Sequence, residues 1–135
     1  MDINNSKELL VYRDAKVIKV INRTQGSENS PADLQLQGND IYTAVDLMID
    51  QAISQGIFKQ SKNLVMISII PRDNRQVTIV DQDKLRDSIR RHMLEKNISS
   101  DLIVTRTDET TQKAAFIRNS QVFHKINVFE SYTKA

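Results

Sequence analysis

Asp40-Ile41-Tyr42-Thr43-Ala44-Val45-Asp46-Leu47-Met48-Ile49-Asp50-Gln51-Ala52-Ile53-Ser54-Gln55-Gly56 decides the fold, together with Leu64-Val65-Met66-Ile67-Ser68-Ile69-Ile70-Pro71 just beyond it. The Asp40 side chain can accept from the free N–H groups of a first helical turn. Ile41, Ala44, Val45, Met48, Ile49, Ala52 and Ile53 then recur at the spacing of one apolar helical stripe. Gly56 suits the left-handed stop just past the helix end. The second stretch is apolar at nearly every position, so both of its faces call for burial. Such a strand is central in its sheet, and Pro71, which has no N–H to give the ladder, closes it.

Toward the amino terminus, Lys7-Glu8-Leu9-Leu10-Val11-Tyr12 and Ala15-Lys16-Val17-Ile18-Lys19-Val20-Ile21 are both rich in strand formers. Arg13-Asp14 between them predicts a hairpin. In its second strand Val17 and Lys19 are expected on one side and Ile18 and Val20 on the other, with Lys16 marking an edge. Residues 22–39 read as a long loop, with Gly26, Ser27, Asn29, Ser30 and Pro31 clustered and with Leu34 and Leu36 as anchors. A loop of that length in a compact domain is uncommon and is either functional or mobile.

Toward the carboxyl terminus, Val77-Thr78-Ile79-Val80 reads as a short strand or as the lead-in to a helix. Asp81 or Asp83 caps that helix, with Leu85, Ile89, His92, Met93 and Lys96 on one side, and residues 97–100 end it. Leu102-Ile103-Val104-Thr105 is a further strand. Asp108 can cap a helix through Ala114, Ala115 and Phe116, and Val122, Ile126 and Phe129 recur at helical spacing. The order is strand, strand, helix, strand, helix, strand, helix. It predicts one α+β domain over 1–135, a mixed sheet with helices packed on one face.

Composition narrows the function. The chain has 135 residues, enough for one domain that needs no metal or disulfide to fold. Nineteen basic against 17 acidic residues leave a net charge of +2, without the broad cationic field of a nucleic-acid binder. With no Cys there is no disulfide framework, thiol nucleophile or thiolate metal site. Two distant histidines, His92 and His124, do not make a metal cluster and read as packed or interfacial side chains. Three glycines make no phosphate cradle. No cofactor is implied. No apolar run approaches the ~20 residues that cross a bilayer. The polar opening Asp2, Asn4, Asn5, Ser6 is no signal peptide, which read literally describes a cytoplasmic protein.

The charged residues give two competing readings. Asp81, Asp83 and Asp87 lie among Lys84, Arg86, Arg90 and Arg91, with Asp87 and Arg91 at pairing distance on a helix. A solvated, salt-bridged face explains them better than general acid–base chemistry, and Asp46 and Asp50 read the same way. An enzyme, a small hydrolase or transferase, would need a convergent site that the sequence does not offer. The alternative binding reading is a small cytoplasmic nucleic-acid module using the surface from Arg72 to Arg91. That stretch holds no aromatic residue on which bases could stack, and acids interleave with its basic residues.

Asp2-Ile3-Asn4-Asn5-Ser6-Lys7-Glu8-Leu9, followed by Lys16-Val17-Ile18-Lys19-Val20, resembles the extracytoplasmic middle domain of RsgI-type anti-sigma factors. Such domains open on a segment like Asp-Ile-Asn-Pro-Ser-x-Glu-Leu. The helix from Ala44 to Ile57 and the strand Val65-Met66-Ile67-Ser68-Ile69 resemble that family too, residues 83–106 more loosely, and the tail in outline. The resemblance implies a single-pass membrane parent in a Gram-positive bacterium. Its cytoplasmic part, outside this chain, holds a SigI-type sigma factor, and its far end senses polysaccharide. It further implies self-cleavage after the Asn of the opening motif, with the pieces staying paired until separation exposes the membrane stub to intramembrane proteolysis. On this chain the site would be Asn4 and Asn5, with Asp2 and Ser6 shaping a turn around the bond. An Asn amide nitrogen can attack its own carbonyl if the backbone holds it close. Asn5 stands where the family has Pro, and the Asn4–Asn5 amide lacks the restricted geometry and weakened trans preference of an X-Pro bond. That departure counts against cleavage here.

Overall fold

The computed structural model describes residues 3–23, 31–72, 78–106 and 122–131, with the backbone alone at 3–5 and 32. The chain forms β1 (Ile3–Val11), β2 (Val17–Asn22), α1 (Pro31–Leu34), α2 (Ile41–Ser54), β3 (Asn63–Pro71), α3 (Gln82–Glu95), β4 (Ser100–Arg106) and β5 (Val122–Glu130). The strands make one five-stranded mixed sheet in the order β2-β1-β5-β3-β4. β2 is antiparallel to β1, and the β1·β5, β5·β3 and β3·β4 pairs are parallel.

The decisive stretch forms as its pattern predicts. Asp40 caps α2, accepting from Thr43 N at 2.9 Å. Ile41, Ala44, Val45, Met48, Ile49 and Ala52 are buried. Gly56, at φ +74°, ends the helix, with Ile57 N donating to Ala52 O at 3.0 Å and Gly56 N to Ile53 O at 3.0 Å. α3 ends the same way on Asn97 at φ +57°, with Ile98 N on Met93 O at 2.9 Å. Asp81 rather than Asp83 is its cap, and Leu85, Ile89 and Met93 are its buried residues. A cap contributes about 1 kcal/mol, whereas each large aliphatic side chain buried contributes roughly 1.5–3 kcal/mol. Packing on the sheet therefore holds both helices, and the caps set their ends.

Both helices pack on one sheet face. Their stripes join Leu9, Val11, Val17, Val20, Val65, Ile67, Ile69, Val104, Ile126 and Val128 in one core. On the opposite face Leu64, Met66 and Phe123 form a smaller cluster. β3 is an inner strand and is buried from Asn63 to Ile69, as its nearly continuous apolar run requires.

Three expectations need correction, and a fourth falls outside the described residues. The tail at 122–130 is a strand, β5, and it occupies the middle of the sheet where helical spacing had suggested a helix. The helix expected from Asp108 through Phe116 lies outside the described residues, so the observed order ends strand, strand after α3. Val17 and Val20 both face the core, because the β1·β2 register slips between Leu10 and Val11 and breaks the simple alternation. The stretch read as a loop includes the one-turn helix α1 and a bracket along β2, where Val17 N donates to Asn39 O and Gly38 N to Val17 O, both at 2.8 Å. Leu36 is fully buried there, but Leu34 is 52% exposed and anchors nothing.

Candidate functional site

The opening motif lies at the start of β1. Asn4, Asn5 and Ser6 are in strand, not in the turn expected for them, and Asp2 lies outside the described residues. Ile3 is opposite Phe123 and Asn5 is opposite His124. Two residues of β1 thus advance against one of β5, and Asn4 is the extra residue of a bulge. A bulge leaves its extra residue out of the ladder and bends the strand. From Asn5 the parallel register runs unbroken to Val11 opposite Glu130. On the other side Arg23 N donates to Ser6 O at 2.8 Å. The Asn4–Asn5 bond therefore sits at the junction between an irregular start and a regular ladder.

His124, across from Asn5, is 2% exposed. Its ring stacks on Phe58 at 4.2 Å between centroids and 13° between planes. Neither ring nitrogen has a hydrogen-bond partner. Met48, Ile49, Ala52, Val65 and Ile126 complete its surroundings. Burial in this apolar setting pushes its pKa down to about 4, so the ring is neutral at pH 7. It is a packed histidine, as its isolation in the sequence suggested. Among the described residues no three His, Asp or Glu side chains are grouped to hold a metal ion.

Two buried acids hold these strands, one against the middle of β1 and one at the end of β5. At mid-strand, the Asp33 carboxylate pairs with Lys7 Nζ from β1, and Asn22 Nδ2 of β2 donates to it at 3.5 Å. At the far end, the Glu130 carboxylate accepts from Val80 N at 2.8 Å and Ile79 N at 3.2 Å. Arg106 closes on the same group, Nη1 to Oε1 at 3.0 Å and Nη2 to Oε2 at 3.2 Å, and also donates to Val80 O at 2.9 Å. The main chain adds Arg72 N to Glu130 O and Ser131 N to Val11 O, both at 2.9 Å. Charge-assisted bonds of this kind are stronger than neutral ones and fix geometry. None of Asp33, Arg106 and Glu130 stands out as a site residue in the sequence. An acid at position 130, after alternating Ile126 and Val128, is the one signal that points inward.

The polar residues between the helices form a separate cluster. His92 Nε2 lies 2.7 Å from Asp50 Oδ1, and Lys96 Nζ lies 3.8 Å from the same atom. Ser88 Oγ donates to Asp46 at 3.4 Å, and burial raises the Asp46 pKa above the usual carboxylate value. On α3 the ion pair joins Arg86 to Asp83 at 2.9 Å, not Asp87 to Arg91. Lys84 sits over the Tyr42 ring at 4.5 Å. Of the basic stretch, Arg72 is exposed at the end of β3 and Arg75 lies outside the described residues. No helix among the described residues is long and apolar enough to cross a membrane.

What this arrangement does chemically is hold a strand. β1 carries the opening motif and lies between β2 and β5; the Asp33 carboxylate holds its Lys7, and the Glu130 carboxylate holds the far end of its neighbour β5. A family model described as the anti-sigma factor RsgI-like central domain matches residues 1–129, in line with the resemblance read from the opening motif. No curated protein and no solved structure matches the chain.

Proposed function

Since this chain belongs to the family of anti-sigma factor RsgI-like central domains, we propose that it is a non-enzymatic relay of a membrane-anchored anti-sigma factor. In this reading the domain stands outside the membrane. It passes polysaccharide sensing from a distal module to a cytoplasmic segment that holds a SigI-type sigma factor. Separation of β1 from the sheet is the signal, because it exposes the membrane-side stub to intramembrane proteolysis. The family match over residues 1–129 carries the reading. The placement of β1 supports it: an inner strand held by ladders and side chains is released as a unit or stays.

Self-cleavage is not required for this relay. The Asn4–Asn5 bond sits beside a bulge, a setting that suits main-chain chemistry at Asn4, but Asn5 in place of Pro works against it. We therefore expect the uncut form. Intact-mass measurement after long incubation should give one species of 15.5 kDa, and fragments split after Asn4 would reverse this point. The relay itself is tested in cells carrying the membrane-anchored parent and a reporter for its sigma factor. Leu9→Asp or Val11→Asp, each placing a charge at a fully buried β1 position, should raise the reporter without polysaccharide. A reporter that stays silent while the parent accumulates normally would sink the relay.

A further inference from the structure

We propose that β1 and β5 form a shear clamp, so that a pull entering ahead of β1 and leaving behind β5 is resisted by their whole ladder at once. The two strands are neighbours and run in parallel, with Asn5 opposite His124 and Val11 opposite Glu130. The amino end of β1 and the carboxyl end of β5 therefore lie at opposite ends of the pair. Drawing those ends apart slides one strand along the other. The bonds of a parallel ladder are evenly spaced along the strands, so each takes a similar share of that load and they fail together. A pair pulled from one end opens bond by bond.

The two strands are not equally held. β5 pairs with β3 along its full length, from Val122 to Glu130. Its end is fixed by Arg106, by the Ile79 and Val80 N–H groups and by Arg72 N. On its other side β1 pairs with β2 only from Lys7 to Val11, and its start is the bulge at Asn4. The strand that slips is β1. Its resistance comes from the ladder between Asn5 and Val11, from the buried side chains of Leu9 and Val11, and from the Lys7–Asp33 ion pair. Forced unfolding follows the unfolding rate rather than the equilibrium stability. The clamp thus sets a threshold, below which the domain stays closed. Its use in signalling rests on the relay reading; its mechanics does not.

The chain has no cysteine, which allows handles to be attached to introduced pairs for single-molecule pulling of all 135 residues. One pair, Asp2→Cys with Lys134→Cys, pulls the strands in shear. The other, Arg13→Cys with Lys134→Cys, grips the exposed turn just after β1 and peels it from the Val11–Glu130 end. The expected result is one all-or-none event at a several-fold higher force for the first pair. Lys7→Gln, which removes the ion pair to Asp33, should lower the shear force while leaving the force that starts peeling at the Val11–Glu130 end nearly unchanged. Equal forces in the two geometries, or stepwise yielding at low force in shear, would overturn the clamp. If the forces are equal and the sigma reporter still responds to Leu9→Asp, the clamp fails and the relay stands. A force difference with a silent reporter has the opposite meaning.

Discussion

The Glu130 side chain is 3% exposed, yet its carboxylate is fully engaged by Arg106 and by two main-chain N–H groups. Removing one partner of a buried pair leaves the other charge without compensation, which costs about 3–5 kcal/mol. Glu130→Ala should lose stability on that scale in urea unfolding. A change under about 0.5 kcal/mol, the range of ordinary surface substitutions, would show that the network contributes nothing. His124 gives a prediction of opposite character. Its ring stays neutral in the fold down to about pH 4, against 6.5 for a free histidine. Between those values the unfolded chain binds the extra proton. Its contribution is therefore complete above pH 6.5 and is lost as the pH falls toward 4, a loss of about 3 kcal/mol. His124→Leu should flatten that part of the stability profile, and an unchanged slope between pH 6.5 and 4 would show that another group is responsible. His124 was legible as a packed side chain because it stands alone in the sequence. Glu130 and Asp33 were not, because nothing near them in the chain marks them as buried. Arg106 is brought to Glu130 by the sheet, and Lys7 to Asp33 by the return of the chain past β2.

At the scale of elements, legibility follows how local the signal is. α2 carries its own start in Asp40, its stripe and its stop in Gly56, and each performs as its chemistry requires. β3 announces an inner position by being apolar on both faces. β5 was missed for a physical reason. Its helix-side face is Val122, His124, Ile126, Val128 and Glu130, so two polar residues interrupt the alternation that marks a strand. What remains apolar at Val122, Ile126 and Phe129 happens to fit a helical period. Both exceptions are satisfied by tertiary means, His124 by stacking on Phe58 and Glu130 by its ion pair. Neither is available to a reading of neighbours along the chain. The opening motif failed similarly: a polar run read as a turn becomes strand because β5 supplies its ladder from the other end of the sequence.

For the molecule as a whole, the sheet order decides what can open alone. The β1·β2 hairpin is local, and β3 and β4 are joined through α3, but within the sheet the two halves are joined through β5. Removing β5 leaves no continuous sheet, and the core it shares with α2 and α3 loses Ile126 and Val128. β2 and β4 are edges, each partly covered: Val17 by Gly38 and Asn39, and Val104 O by Gln82 Nε2 at 2.8 Å. Edge amides can exchange by small local openings, whereas amides in the three inner strands require the halves to part. Native-state hydrogen exchange in increasing denaturant should therefore bring the amides of β1 from Lys7 to Val11, of β3 and of β5 to one common opening free energy, with those of β2 and β4 leaving earlier. The reason is cooperative: β1 cannot leave β5 without uncovering Leu9 and Val11, both fully buried. Their exposure alone sets roughly 1.5–3 kcal/mol each against a partial opening. A set of β1 amides opening well below the β3 set would show that the hairpin detaches by itself under thermal motion. A strand that came away so readily could not hold a relay closed against a pull.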